Sequence, residues 1–503
     1  MTLILLLLAG SLAAAILQRR GGRAAWLVAV AFVALGWFIS LLQSRGLPRT
    51  WPLGEWGFLA GSAARLELTV GDVEWRLGAF VATLVLMLLL SEPSRGVGLS
   101  SASRMGFFLY AAAGVFVLSA GTALTMALSL PVLDLLTRWL PGRGSTASVR
   151  WIDDRWGLRF DATAIVWLAV AVAAGEARGW PSSSVILGIF ALRIAGAFSS
   201  WRTRPVPAGS PEAALVLIAP IAVAIKLMAE AIRANGMEPL PAWTLVLAAL
   251  LGGYALLRSS AQPVRLCGGS FVMAMGALAL AAGGQGGVAS MDTLGWLGAV
   301  ALLSAGAVFV LEIHGLEDRI WGASALSLLF LLPLVGAQAV SGLDMSADGA
   351  VILLVTMTVA AAALWAVFAR RLGEPPREGG GPDMPSRMIA RLGFALPAVA
   401  GIGLGVRTAS AASPIGLAVS VVALAIGFGI SRLARGRESS RRSRWERAVE
   451  WIDLPGAASA ILRLTGLAGR AIRGLAGLFE GGSGILWAWA LLLALILLGG
   501  GQA

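Results

Sequence analysis

Lysine is almost absent from this sequence: of 39 Lys and Arg residues, 38 are arginine and one is Lys226. Histidine and cysteine are equally scarce, with one of each, His314 and Cys267. A single cysteine excludes an intramolecular disulfide, and one histidine with one cysteine excludes a Cys/His metal site and bis-histidine haem. The sequence also lacks a Walker-type phosphate loop and a dinucleotide fingerprint. We therefore expect no bound metal and no cofactor.

Charged residues are few as well, at 13%, whereas 58% of the chain is hydrophobic. Such a composition is typical of a polytopic membrane protein. The hydrophobic runs lie at 2–17, 24–42, 77–90, 106–117, 122–136, 162–174, 184–198, 213–231, 242–257, 271–282, 294–310, 323–340, 349–368, 392–406, 415–430 and 485–498. Open strand edges cannot be satisfied in lipid. The sequence thus predicts an all-α polytopic membrane protein with about 14–16 transmembrane helices, some of them discontinuous.

The net charge of +12 does not indicate nucleic-acid binding, because the arginines are spread over loops between apolar runs. They fit topology signals and lipid-headgroup anchors instead. The positive-inside tendency places the basic turn at 19–23 in the cytoplasm and the N-terminus outside, in a cell (inner) membrane. The loop that follows then faces outward, and alternation across 65–75 with a Gly71-Asp72 turn predicts a short surface hairpin.

Four regions follow from these patterns. Residues 1–105 form N-terminal helices with the outward hairpin loop, and 106–434 form the transmembrane core. Residues 435–480 are predicted to be an interfacial amphipathic helix, because apolar positions recur at helical spacing between the arginines Arg463, Arg470 and Arg473. Residues 481–503 supply a final transmembrane helix.

Lys226 lies within the apolar run 213–231, and Glu230 follows it at a spacing that puts both on one helix face. Arginine keeps its proton at essentially any pH, whereas a desolvated lysine can load and release one. An ionisable residue inside a membrane span is a functional-site hypothesis by default. We predict that Lys226 and Glu230 transfer protons; the alternative is a structural ion pair near a helix end.

Two further candidates are Asp134 and His314. Asp134 follows Pro131 near the end of its run, where a proline often marks a broken helix that lines a polar cavity. Its alternative is a helix-end ion pair with Arg138, four residues on. His314 lies in a charged turn between two runs and is either a loop residue or a proton relay, since histidine titrates near neutrality.

The order of several local motifs resembles the antiporter-like membrane subunits of respiratory complex I, membrane-bound hydrogenases and Mrp-type cation/proton antiporters. The resemblance is carried by Lys226 and by the segments 51–57, 239–243, 250–258, 316–327 and 478–487. In this comparison Lys226 takes the position of the central-helix lysine. The acid of the fifth helix falls at Pro131, with Asp134 as its stand-in.

The resemblance implies a divergent antiporter-like subunit of a multi-subunit, complex I-like respiratory assembly that moves protons or monovalent cations. Its partners would be other membrane subunits, the lipid bilayer and those ions. If the assembly is an enzyme, this chain would be a membrane subunit of a quinone- or hydrogenase-linked oxidoreductase without a redox centre of its own.

Two alternatives stay open. The chain could be a non-conducting scaffold subunit of such a complex, because several family charges are replaced here. It could also be a polytopic glycosyl- or acyltransferase that uses Asp153 and Asp154 in a loop.

Overall fold

A computed structural model describes residues 1–17, 22–43, 46–55, 65–92, 101–139, 155–173, 180–203, 211–261, 268–288, 290–295, 297–298, 348–372, 384–393, 395 and 414–437. Its longer helices are α1 Thr2–Leu17, α2 Gly22–Leu42, α3 Asp72–Ser91, α4 Ser101–Leu118, α5 Ala123–Trp139, α6 Arg155–Ala173, α7 Ser183–Thr203, α8 Pro211–Ala234, α9 Trp243–Ala261, α10 Gly268–Gly283, α11 Asp348–Leu372 and α12 Pro414–Arg437.

The helices have the composition that a bilayer requires. Within the described residues, the stretches Gly22–Leu42, Asp72–Ser91 and Val351–Arg370 are long and apolar enough to cross a membrane, and shorter apolar helices include Thr2–Leu17 and Gly268–Gly283. Large apolar side chains such as Leu12, Val132 and Val170 are exposed on the outer helix faces, where lipid would solvate them. The predicted all-α polytopic membrane fold is confirmed.

The predicted runs from 2–17 to 271–282 each coincide with one helix, as do 349–368 and 415–430. The runs 294–310, 323–340, 392–406 and 485–498 lie largely or wholly outside the described residues. The same holds for the final helix and for the amphipathic segment 435–480, of which only 435–437 are described, as the end of α12. The interruption expected at Pro131 is not seen, because α5 continues through it and α8 likewise continues through Pro220. The proposed boundaries at 105 and 434 fall inside α4 and α12, so the four-region division stays a prediction.

The structure contains a hairpin, but its strands and its turn are not those predicted for residues 65–75. Strand β1, Arg49–Glu55, pairs antiparallel with β2, Arg65–Val70, and the register shifts between Pro52 and Gly54. Gly71 and Asp72 form no hairpin turn; α3 begins at Asp72, because the amide of Gly71 is bonded by Glu74 and an apolar run follows. β2 is also bonded on its other side to residues 119–121, which join α4 to α5.

Helix α8 lies at the centre of the bundle, in contact with α3, α4, α7 and α10. From Ile221 to Ile232 every side chain is buried, so this helix has no lipid-facing side along that stretch. A helix buried on all sides is a core helix. α3 begins and α8 ends on the same side of the bundle as the hairpin, which we call the hairpin side.

On the opposite side, a buried ion pair joins the end of α3 to the start of α4. Arg104 of α4 contacts Glu92, which follows α3, and donates to the backbone oxygen of Gly22 at 3.2 Å. Both charged side chains are only 5% exposed. Removing one partner of such a pair leaves the other charge buried without compensation.

We predict that Arg104→Ala lowers the free energy of unfolding by about 3–5 kcal/mol, measured by reversible unfolding in mixed micelles. The matched control is Arg65→Ala, which removes the exposed Arg65–Glu55 pair and should cost about 0–1 kcal/mol. Equal effects of the two substitutions would contradict the structural role given to burial.

Candidate functional site

The lysine found in the sequence is fully buried and bound to two carboxylates. Nζ of Lys226 donates to Oε1 of Glu74 at 2.8 Å and also contacts Oε1 of Glu230. Lys226 and Glu230 lie on one face of α8, as predicted, while Glu74 comes from α3. The exposed fractions of the Lys226, Glu74 and Glu230 side chains are 1%, 0% and 5%.

Arg233 completes the cluster one helical turn beyond Glu230. Its Nη1 donates to Oε1 of Glu74 at 2.7 Å and to Oε1 of Glu230 at 2.6 Å, and its Nη2 donates to Oε2 of Glu74 at 3.2 Å. The two cations therefore share the same two carboxylate oxygens. Two positive and two negative groups balance in formal charge, which is what makes the burial of Lys226, Glu74 and Glu230 beside the partly exposed Arg233 tolerable.

The start of α3 fixes Glu74 in place. Glu74 lies in the first turn, and its Oε2 accepts a hydrogen bond from the Gly71 amide at 2.9 Å. A Cβ at residue 71 would lie 2.8 Å from that oxygen, so glycine is what allows the carboxylate to fold back on the helix start. This hydrogen bond from the N-cap amide to a first-turn glutamate is one half of a capping box; the other half would need an N-cap side chain, which glycine lacks.

The side chains of the cluster lie at different depths below the protein surface. Lys226 lies eight residues before the end of α8 at Ala234, roughly 12 Å along the helix axis. Arg233, at 33% exposure, lies near the surface on the hairpin side. The cluster therefore runs from a fully enclosed amine to a guanidinium that meets solvent.

An open cleft of about 1060 Å³ adjoins the cluster on this side. Its lining includes Glu74, Glu230, Arg233 and Trp180, together with residues of the hairpin and of the segment that leads into α7. The Trp180 ring centroid lies 5.8 Å from Nζ of Lys226, within the range of a cation–π contact. The enclosed end of the cluster thus lies close to a space large enough for many water molecules.

Asp134 belongs to a second cluster. Nη1 of Arg193, on α7, donates to Oδ2 of Asp134 at 2.9 Å and to Oδ1 of Asp161, on α6, at 2.8 Å. Arg193 is buried, and its Nε and Nη2 have no hydrogen-bond partner among the described residues. Nη1 of Arg193 contacts both carboxylate oxygens of Asp134. The side chain of Arg138, the partner predicted from the spacing, lies outside the described residues, so that pairing stays a prediction.

The structure thus unites two of the predicted site residues, Lys226 and Glu230, and separates Asp134 from them. His314, Asp153 and Asp154 lie outside the described residues. The sequence interpretation missed Glu74, which had been placed in the surface hairpin. The signal was present: an acid three residues after Gly71 and just before an apolar run is typical of a helix start. Among the residues that the structure describes, no group of three or more His, Cys, Asp and Glu side chains could hold a metal ion.

No family model matches the chain, and no curated protein matches it in sequence. Solved structures do match it in fold. A chain in the structure of the Mrp complex from Dietzia sp. DQ12-45-1b aligns with a TM-score of 0.68 and 17% identity over 99% of this chain. The alignment spans 62% of that chain, so our chain covers less than two thirds of its length.

Two respiratory complexes contain similar chains. One is the membrane-bound sulfane sulfur reductase, an archaeal respiratory membrane complex, with a TM-score of 0.58, 15% identity and 99% coverage of both chains. The other is respiratory complex I from Thermus thermophilus, with a TM-score of 0.54, 20% identity and coverage of 81% of this chain and 98% of that one. The resemblance predicted from the sequence is confirmed at the level of the fold: this chain is folded like chains of the Mrp complex, the sulfane sulfur reductase and respiratory complex I.

Proposed function

We propose that this protein is a membrane subunit of an Mrp-like or complex I-like multi-subunit assembly in the cell (inner) membrane, and that it contributes to proton or monovalent-cation translocation through Lys226. The observation that carries the proposal is the enclosed Lys226–Glu74–Glu230 cluster, which reaches an open cleft through Arg233. The fold shared with chains of the Mrp complex and complex I supports the assembly.

Lys226 is the chemically suited cation of the membrane core. The other buried cationic side chains among the described residues are the arginines Arg104, Arg193, Arg258 and Arg370. A guanidinium is effectively always protonated, whereas an amine in a low-dielectric site exchanges its proton when its counter-charges change. The proposed exchange is therefore assigned to Lys226.

The shared carboxylate oxygens supply the means of changing those counter-charges. Lys226 and Arg233 both contact Oε1 of Glu74 and Oε1 of Glu230. When the carboxylates move toward Arg233, the ammonium group loses its compensation, becomes neutral and gives its proton to water. When they move back, the amine takes up a proton again.

Glu74 and Lys226 come from different helices, and this makes the exchange sensitive to helix movement. A small shift of α3 against α8 lengthens the Glu74–Lys226 contact while Glu230, on the same helix as the lysine, stays in place. At an effective dielectric constant of about 20, two unit charges 4 Å apart interact by about 4 kcal/mol, and this falls steadily with distance. A neighbouring subunit that displaces α3 could thus drive protonation and deprotonation.

We expect Lys226→Met to reduce proton uptake to the level of empty vesicles. Lys226→Arg should lower it by about tenfold or more, because arginine keeps its charge and does not release its proton. The measurement is a pH-sensitive dye in vesicles that contain the complex, purified in mild detergent with its co-purifying subunits identified by mass spectrometry. Unaltered uptake by both variants, with the complex assembled, would refute the transport role.

We also expect Glu74→Gln to slow proton uptake by about tenfold, equivalent to about 1.4 kcal/mol in the barrier, since Lys226 then shares one remaining acid with Arg233. The matched control is Asp72→Asn, in the same helical turn and also at the cleft but exposed. This control should change the rate by less than about twofold. An equal loss in both variants would point to the surface potential of the cleft rather than to the cluster.

A second candidate function is a non-conducting scaffold, and one observation favours it. Asp134, the stand-in for the acid of the fifth helix, is bound by an arginine that does not release its proton. A scaffold predicts that Lys226 variants leave transport unchanged, while deletion of 435–478 removes the partner subunits on purification. Normal assembly after that deletion would exclude this role for the C-terminal segment.

A further inference from the structure

We propose that the indole ring of Trp180 is the barrier between the water of the cleft and the amine of Lys226. This inference deepens the proposed function, on which it rests, because it names the residue that controls access to the proton-exchanging group. Proton exchange with the hairpin side would then require the ring to move.

The position of the ring supports this role. Trp180 lines the cleft, and its ring centroid lies 5.8 Å from Nζ of Lys226, so one side chain adjoins both the water-accessible space and the enclosed amine. Glu74, Glu230 and Arg233 line the same cleft, while Lys226 is 0% exposed. The route from cleft water to the amine therefore passes the carboxylates and the indole.

The ring is held by the backbone on the hairpin side. The indole Nε1–H of Trp180 donates to the carbonyl oxygen of Gly121 at 2.9 Å. The amide of Gly121 in turn donates to the carbonyl of Glu67 in β2 at 2.8 Å, and the Thr69 amide donates to the carbonyl of Ser119 at 2.7 Å. A Cβ at residue 121 would collide with the hydroxyl oxygen of Thr69 and would lie 3.1 Å from the Glu67 carbonyl oxygen, so glycine permits this close approach.

An ordinary explanation for a tryptophan near a helix start is an interfacial anchor among lipid headgroups. Such an anchor presents its N–H to water or headgroups. Trp180 uses its N–H inside the protein, is partly buried against the core, and turns its ring toward a buried ammonium group. These contacts fit a barrier at the cleft better than an anchor in lipid.

The test measures access to the cluster by cysteine labelling, which does not depend on whether the protein transports anything. With the one native cysteine removed by Cys267→Ser, a single cysteine is introduced by Lys226→Cys, Ala229→Cys or Arg233→Cys. Ala229 is buried one turn from Lys226, and its replacement keeps all four charges of the cluster. The probe is a cationic, membrane-impermeant methanethiosulfonate added on the hairpin side to the whole complex.

We expect Arg233→Cys to react quickly, and Lys226→Cys and Ala229→Cys to react slowly. Adding Trp180→Ala should raise the rate at the two buried positions by about tenfold or more, because labelling follows the population of the open state. Trp180→Phe keeps an aromatic ring, though a smaller one, but removes the N–H donor and should raise the rate by roughly fivefold. The rate at Arg233→Cys should change by less than about twofold, which controls for altered reagent access.

If the labelling rate at each of the two buried positions is the same with and without Trp180→Ala, Trp180 is not the barrier. If Lys226→Cys does not fold, Ala229→Cys gives the answer alone. Faster labelling after Trp180→Ala, combined with Lys226→Met that leaves proton uptake intact, would keep the barrier and reject the proposed function. Unchanged labelling, combined with transport abolished by Lys226→Met, would keep the function and reject the barrier.

Discussion

A single electrostatic requirement organises the centre of this protein: the ammonium group of Lys226, removed from water, needs negative charge at contact distance. Glu230 supplies one carboxylate from the same helix and Glu74 a second from α3. Each of those carboxylates is itself buried and needs positive charge, which Arg233 adds at the cleft. This one arrangement of four charges is compatible with the burial of α8 on all sides, with the first turn of α3 and with the position of the hairpin.

The two charged clusters differ in the cations that they contain. In the Lys226 cluster, cations and anions are equal in number and the deepest cation is a primary ammonium group. In the cluster of Arg193, one guanidinium binds two aspartates from α5 and α6 and so ties three helices together. Because the guanidinium does not titrate, this second cluster has the chemistry of a structural element. The described residues thus contain two separate ionic clusters, one around Lys226 on α8 and one around Arg193 on the neighbouring α7.

Much of the fold could be predicted from the sequence, because lipid requires long apolar helices and leaves few alternatives. The i, i+4 pair of Lys226 and Glu230 could also be predicted, since it depends on local spacing alone. Glu74 could not be placed beside Lys226 in this way, because 152 residues separate them and their contact depends on how α3 packs against α8. The same limit applies to Asp134: local spacing points to Arg138, four residues on, and cannot reveal the contact with Arg193, 59 residues away. Pro131 suggested a broken helix, but α5 accommodates it without interruption.

The attachment of β2 to the turn between α4 and α5 has one more consequence. On the side of β2 the linkage consists of main-chain amides and carbonyls at Arg65, Glu67 and Thr69. They bond to main-chain groups of Ser119 and Gly121 and to the hydroxyls of Thr122 and Thr125, and Gly121 is where a larger residue would not fit. Since every amino acid except proline offers the same backbone groups, most side chains of the hairpin can diverge in evolution without loosening this joint. The exposed face of the hairpin can therefore change its side chains while β2 stays bonded to the turn between α4 and α5.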